Sequence, residues 1–412
     1  MVNPRRPVAE VLRLALGNVP IAVDAFDGSS SGPPDAEVRI EVRTPRALNY
    51  LVTSPQELGL ARAFVAGDLT VHGDLYTTLV LLTGDEVGAL SWAARMEVLR
   101  GLGLGTLRPV APPPEEVRMH GWRHSHSRDS TAISHHYDVS NRFYGWVLGE
   151  SMTYTCAVYP TAESTLAQAQ EAKYDLVARK LGLAPGMRLL DVGCGWGGMV
   201  IHAAARYGVR ALGVTLSRQQ AEFAQKWIAQ EGLADLAEVR HLDYRDAPDD
   251  EFDAVSSIGL TEHVGERELP SYFRLLYSKL RPQGRLLNHC ITRPTTTEEV
   301  RASGFIPRYV FPDGELLGVG KLASVMQDSG FELRHMECLR EHYAMTLAAW
   351  CANLDEHWDE AVADVGLARA RIWSLYMTGS RIGFERNHIQ LHQLLGVKTV
   401  GGTADYPLRP DW

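Results

Sequence analysis

The sequence predicts an α/β protein with a doubly wound, mostly parallel sheet, preceded by an N-terminal α+β accessory domain. Three observations carry this. From Ser164 onward, apolar segments at 187–192, 209–214, 237–241, 252–257 and 285–290 alternate with helical stretches such as SRQQAEFAQKWIAQEG and ELPSYFRLLYSKL, the rhythm of βαβ units. The first of these segments is continuous rather than alternating in Leu189, Leu190 and Val192, and it breaks at once into VGCGWGG, as a strand buried on both faces and followed by a ligand-facing turn would. Near the N-terminus, by contrast, Val38, Ile40 and Val42 alternate with Arg39, Glu41 and Arg43, the mark of a half-buried strand in a different kind of layer.

Bulk properties narrow the class. At 412 residues the chain is long enough for two or three domains, and 45% hydrophobic with 22% charged residues fits a folded protein with ample core. No apolar run approaches the roughly 18 residues that span a bilayer, and MVNPRRPVAEVLRLALGNVP has neither the h-region nor the cleavage site of a secretory signal. A cytoplasmic protein is expected. Cys156, Cys194, Cys290, Cys338 and Cys351 are odd in number and form no C-x-x-C pair, which points to reduced thiols rather than disulfides or zinc. A net charge of -9 argues against general nucleic-acid binding.

Taken in order, DGSSSGPPD is a loop before the alternating strand, and residues 56–82 mix helical spacing with turns at Gly67-Asp68 and Gly73-Asp74. Pro112, Pro113 and Pro114 mark a stiff linker. The stretch RMHGWRHSHSRDSTAISHHYDVSNRFY follows, with Arg118, Arg123 and Arg128 among five histidines. Its spacing repeats no known ligand pattern, so no metal site is predicted. It reads instead as an amphipathic segment whose basic groups could meet lipid phosphates, or as a solvated face. Ser164 or Thr165 then caps a helix that runs to Gly182, and a further helix opens at Gly198.

Ligand-binding residues in such a sheet belong beyond the strand C-termini. Those ends carry Asp191, the run 215–220, Asp243 with Tyr244, Glu262 with His263, and His289. Gly193, Gly195 and Gly198 also satisfy G-x-G-x-x-G, so a dinucleotide remains one reading of the turn and a purely structural turn another. Asp191, two residues before the first glycine, would crowd a pyrophosphate but suits the cationic methionine moiety of S-adenosylmethionine (SAM). About 20 positions on, where a dinucleotide fold places a carboxylate, GVTLSRQQ offers Thr215, Ser217 and Gln220.

The motifs HHYDVSNRFYGWVLGESMTYTCAVY, LLDVGCGWGG, GVTLSRQQ, SSIGLTEHVG, LNHCITRP and HYAMTLAAW occur in that order over roughly residues 120–395. Together they resemble the cyclopropane fatty-acid and mycolic-acid cyclopropane synthases, SAM-dependent enzymes acting on lipid double bonds. The N-terminal third is similar to the longer, phospholipid-acting members. With the tail HIQLHQLLGVKTVGGTADYPLRPDW, it looks most like actinobacterial relatives that make 10-methylene and then 10-methyl branched chains. The resemblance implies a Rossmann-like class I SAM methyltransferase domain over 161–412, with helices over the acyl site. It further implies a linker and lid segment over 111–160 and an accessory domain over 1–110 for lipid, membrane or oligomer contact.

By the same resemblance, SAM is held by Tyr137, Asp191, Gly193, Cys194, Gly195, Gly197, Thr215, Leu216, Ser217, Gln220, Asp243 and Tyr244. A bound bicarbonate acts as general base, held by Glu262, His289 and Tyr343 and by the backbone at Cys156 and Ile291. The chemistry explains the need for such a set: an alkene attacking the sulfonium methyl leaves a carbocation that must lose a proton before water or a touching carboxylate traps it. Tyr154, Phe305, Tyr309, Tyr343, Trp350 and Tyr376 could stabilise that cation through their ring faces. Where many relatives carry a cysteine, YMTGSRIGFERN has Ser380, so no thiol nucleophile is expected there.

The implied partners are an unsaturated phospholipid, the inner membrane face met peripherally, a separate reductase for a methylene product, and further copies of the chain. Closure to a cyclopropane is the alternative product. A small-molecule SAM methyltransferase, a dinucleotide oxidoreductase and a silent lipid-binding protein are alternatives of other classes.

Overall fold

A computed structural model describes residues 6–54, 57–84, 108–117, 139–249, 251–297 and 304–412. The chain forms two compact units. One comprises Met1–Arg118, Arg301–Pro312 and Trp358–Ile382, and the other Met119–Val300, Asp313–His357 and Gly383–Trp412.

In the first unit, α1 (Val8–Leu16), α2 (Pro45–Thr53), α3 (Leu58–Val65) and α4 (Leu75–Leu82) accompany a four-stranded sheet of order β2-β1-β3-β4. Its strands are β1 (Ile21–Ala25), β2 (Ser30–Ser31), β3 (Val38–Val42) and β4 (Leu69–His72). The expected alternation is realised in β3, where Val38, Ile40 and Val42 are buried with Ile21, Val23, Leu48 and Leu69 in one core. The mixed stretch 56–82 resolves into α3, β4 and α4, the last capped by Asp74, which accepts from Thr77 N at 2.7 Å. Glu116 is almost fully buried and takes paired bonds from Arg62 (2.7 and 2.8 Å) and one from Arg308 (2.8 Å).

The second unit contains α5 (Asn141–Leu148), α6 (Leu166–Leu181), β5 (Arg188–Val192), α7 (Gly198–Tyr207), β6 (Arg210–Thr215), α8 (Arg218–Gln230), β7 (Ala237–His241) and β8 (Phe252–Ile258). These are followed by α9 (Leu269–Lys279), β9 (Leu280–Arg293), β10 (Leu317–Gly318), α10 (Val319–Asp328), β11 (Glu332–Cys338), α11 (Arg340–Glu356) and β12 (Gln390–Val397). The sheet order is β11-β12-β9-β8-β5-β6-β7, with β10 alongside β9. All pairings from β7 to β9 are parallel, whereas β12 runs antiparallel to both β9 and β11.

The continuous apolar run of β5 is explained by two cores, one per face. Leu189 packs with Val177, Leu181, Val200 and Ala224, while Leu190 and Val192 pack with Val214, Val255, Phe273 and Leu276. Helix α6 begins with a capping box, Thr165 and Gln168 exchanging bonds of 2.9 and 3.3 Å, and ends at the left-handed Gly182.

Two features exceed the sequence reading. Strand β9 extends over 14 residues, well past both ends of 285–290. The antiparallel pair β11 and β12 was not expected: β11 is an edge strand whose burial alternates between half-buried and exposed, so its apolar pattern is weak. Among the described residues no helix is long and apolar enough to cross a membrane.

Candidate active site

The site is built where β5 ends. Gly193, Gly195 and Gly197 all take positive φ (72°, 55° and 87°), a path that only glycine follows without strain, and α7 starts at the next residue. The N-cap of α7 is Gly197, which has no side chain to cap it, so the first-turn N–H groups are open to a ligand. A cleft opens at this turn. Asp191, Gly193, Cys194, Gly195, Trp196 and Gln220 line it, opposite residues 152–155, Ile258 and Gly259.

Asp191 is buried and accepts from Ser256 Oγ at 2.6 Å. Burial pushes its carboxyl up to about 7, opposed by the Ser256 bond and the charge of Lys173. Lys173, on α6, is equally buried. Its Nζ donates to Thr155 Oγ1 at 3.2 Å and lies 3.8 Å from the Tyr174 ring centroid. Burial pulls this ammonium down to about 7, and Asp191 opposes the fall. The sequence reading missed Lys173, Thr155 and Tyr174 as site residues. The available signal was polar Gln170, Lys173 and Lys180 on one face of an otherwise apolar helix stripe, all of them buried.

Other cofactor candidates are placed around the turn. Thr215 Oγ1 donates to Gln220 Oε1 at 2.8 Å, and Ser217 caps α8 by accepting from Gln220 N at 3.3 Å. Leu216 accepts from His241 through its carbonyl at 3.1 Å. Asp243 receives Arg245 through Nε and Nη2 at 2.8 and 2.6 Å, and Tyr244 meets Tyr272 edge-on at 5.2 Å. Gly197 faces Ala224 of α8, where an added Cβ would lie 3.0 Å away, so helix packing also asks for glycine there. Tyr137, Arg118, Arg123, Arg128 and the five histidines among them lie outside the described residues.

The second group gathers at the ends of β8 and β9. Gly259 N donates to His289 O at 2.8 Å, continuing the β8–β9 ladder. One step on, Ile291 N donates to Glu262 Oε1 at 2.6 Å, so a carboxylate takes the place of a strand carbonyl. Thr261 Oγ1, bonded to Asn288 Oδ1 at 2.6 Å, pins the short turn that carries Glu262. Burial raises the Glu262 carboxyl to about 7 and holds the His289 imidazole well below its usual value.

Among the described residues Glu262 Oε2 and His289 Nε2 are both buried without a hydrogen-bond partner. Each such orphan, one on the turn after β8 and one within β9, is costly unless something polar reaches it. Cys156 is fully buried, its thiol pushed far up by desolvation and turned toward the carbonyls of Ala157 and Leu339. Tyr343 stacks on Phe384 at 4.5 Å and meets Trp350 edge-on at 6.1 Å, and Trp350 in turn lies 5.4 Å from Tyr154. Of the other aromatic candidates, Phe305 stacks on Tyr309 and Tyr376 meets Phe311, all within the first unit.

Sheet order, glycine turn and cleft define a class I SAM-dependent methyltransferase domain, as in the solved structures that share the fold. Residues 124–394 match the family described as mycolic acid cyclopropane synthetase, and the chain belongs to that family. It is 54% identical over its whole length, and that of the relative, to "Probable fatty acid methyltransferase Rv3720" of Mycobacterium tuberculosis. It is 34% identical to the cyclopropane-fatty-acyl-phospholipid synthase of Escherichia coli K12, over 63% of this chain and 66% of that one. The mycolic acid cyclopropane synthase CmaA1, solved with SAH and CTAB, superposes with a TM-score of 0.62 at 32% identity, covering 65% of this chain and 98% of its own.

Proposed function

We propose that this chain transfers the methyl carbon of SAM to the cis double bond of an unsaturated acyl chain in a phospholipid, with bicarbonate as the general base, and yields a 10-methylene branched chain. The coarser part, SAM-dependent methyl transfer to lipid, is supported by relatives named fatty acid methyltransferase and cyclopropane-fatty-acyl-phospholipid synthase and by the SAH complex of CmaA1. The observation that carries the finer reading is the pair of buried orphan atoms, Glu262 Oε2 and His289 Nε2, an acceptor and a ring nitrogen able to hold one small oxyanion. Bicarbonate bound there would supply a replaceable base that cannot tether the cation to the protein.

The chain's own residues do the rest. Asp191 and the 193–197 turn position the methionine moiety, and Gln220 with Thr215 meets the ribose. As the alkene attacks, a C–C bond forms, the C–S bond breaks and S-adenosylhomocysteine departs. The wall of Tyr154, Trp350 and Tyr343 excludes water from the resulting cation and faces it with π density. A hydride shift from the methylated carbon to its neighbour, followed by proton loss from the new methyl to the base, leaves a methylene branch on the chain. Proton loss with ring closure leaves a cyclopropane, the reading favoured by the family's description. Full-length likeness to a protein named as a fatty acid methyltransferase, not as a cyclopropane synthase, is what inclines the reading toward the methylene product.

Because an acyl chain moving from bilayer to protein exchanges one apolar setting for another, the roughly 0.8 kcal/mol per methylene largely cancels. The enzyme therefore meets its substrate at the membrane surface. Incubation with oleoyl phospholipid and methyl-labelled SAM, followed by mass analysis of the released fatty acids, tests the whole reading. Label in a C19 methylene acid supports it, label in a cyclopropane acid selects the alternative, and no label in any acyl chain refutes both.

A further inference from the structure

Glu337 on β11, Gln393 on β12 and His289 on β9 stand directly opposite one another across three adjacent strands, so their side chains share one face of the sheet. Lys180 of α6, wholly buried, reaches this row. Its Nζ donates to Gln393 Oε1 at 2.7 Å and pairs with the Glu337 carboxylate. Gln393 Nε2 lies 3.2 Å from His289 Nδ1.

These contacts allow one arrangement of protons. An ammonium only donates, so the amide atom facing Lys180 is the carbonyl oxygen. The atom facing His289 is then the NH2 group, which also only donates. Nδ1 must accept, and a neutral ring therefore carries its proton on Nε2. Burial, with the charges of Lys173 and Lys180 nearby, keeps the ring neutral. Nε2 is the atom left without a partner among the described residues.

We propose that Lys180 and Gln393 are positioning residues that fix the His289 proton on Nε2 and so present an N–H donor to an anion held at Glu262. The proton assignment stands on the contacts alone; its use toward an anion rests on the function proposed above. The opposite tautomer would turn a lone pair toward that anion and repel it.

Histidine-selective 15N labelling of the full chain, read by long-range 1H–15N correlation at pH 7, reports the tautomer directly, with the His289 signal assigned by its loss in His289→Gln. The expected result is a bare Nδ1 and a protonated Nε2. A protonated Nδ1, in either the other tautomer or the imidazolium, overturns the assignment in the wild-type protein, whatever the variants do. Gln393→Glu places a carboxylate opposite Nδ1 and is expected to move the proton there. It should raise the bicarbonate concentration for half-maximal rate about tenfold, a usual scale for losing an orienting partner, while SAM affinity holds. An unmoved tautomer in both Gln393→Glu and Lys180→Met refutes the relay. A protonated Nε2 in a wild-type enzyme whose rate ignores bicarbonate refutes the anion reading while leaving the proton assignment standing.

Discussion

Gly198→Ala is a one-methyl change whose effect follows from the packing of the cleft. A Cβ at this position would lie 2.1 Å from Tyr174 Oη and 2.7 Å from its Cζ, where ordinary contact begins at 3.4 Å. The tyrosine must retreat on the order of 1 Å, yet its hydroxyl is held by Thr153 Oγ1 at 2.5 Å in a buried pair. Overpacking costs about 1–3 kcal/mol, and breaking the buried pair costs about as much again. Urea unfolding is therefore expected to show a loss of about 2–6 kcal/mol. Thr153, Tyr174 and Gly198 all line the cleft, so SAM affinity by calorimetry should fall at least about tenfold, or about 1.4 kcal/mol. The decisive measurement is a double-mutant cycle with Tyr174→Leu, which removes the obstructing ring. If Gly198→Ala costs as much with leucine at 174 as with tyrosine, the steric account is wrong.

Glu262→Gln is expected to flatten stability between pH 4.5 and 7. The Glu262 carboxyl is raised from 4.5 to about 7 by burial, so below that window it is protonated folded and unfolded alike. As pH rises through the window only the unfolded chain ionises, and the wild type loses stability that the variant keeps, about 3 kcal/mol by pH 7; parallel thermal curves of the two proteins across this range would disprove it. Thr261→Val leaves Asn288 Oδ1 without its 2.6 Å donor and is expected to cost about 1–3 kcal/mol in urea unfolding, with a weakened response to bicarbonate. Arg62→Leu leaves the buried Glu116 with Arg308 as its remaining arginine partner; a loss of about 1–3 kcal/mol, read by protease sensitivity of the first unit, is expected.

The legible part of the fold was the part whose cause is local. Apolar runs, the glycine turn and the Thr165 cap each follow from a few neighbouring residues, and the parallel half of the sheet emerged from them. What stayed hidden depends on distant partners. Strand β12 holds Gln393 and His392 at buried positions, and polar letters in a strand give no apolar signal until their partners on β9 are known. The segments 301–312 and 358–382 join the first unit although they are remote from it in sequence. Gly198 is legible in the sequence only as the opening of a helix, whereas its missing side chain makes room for Tyr174 of α6.

Register explains why these residues act together. Asp191 pairs with Ser256 across β5 and β8, and two positions along β8 Ile258 pairs with His289, which pairs with Gln393 and through it with Glu337. The residues proposed to bind the methyl donor and those proposed to handle the proton thus occupy neighbouring rows on one sheet face, roughly 7 Å apart along the strand. Helix α6 covers that face and supplies a buried lysine to each row, Lys173 beside Asp191 and Lys180 above Gln393. A single-residue slip of β9 against β8 would send His289 to the opposite face and strip Glu262 of the Ile291 amide. The spacing between methyl donor and base is in this way a property of strand pairing, and side-chain substitution within either row changes affinity or protonation without moving one row against the other.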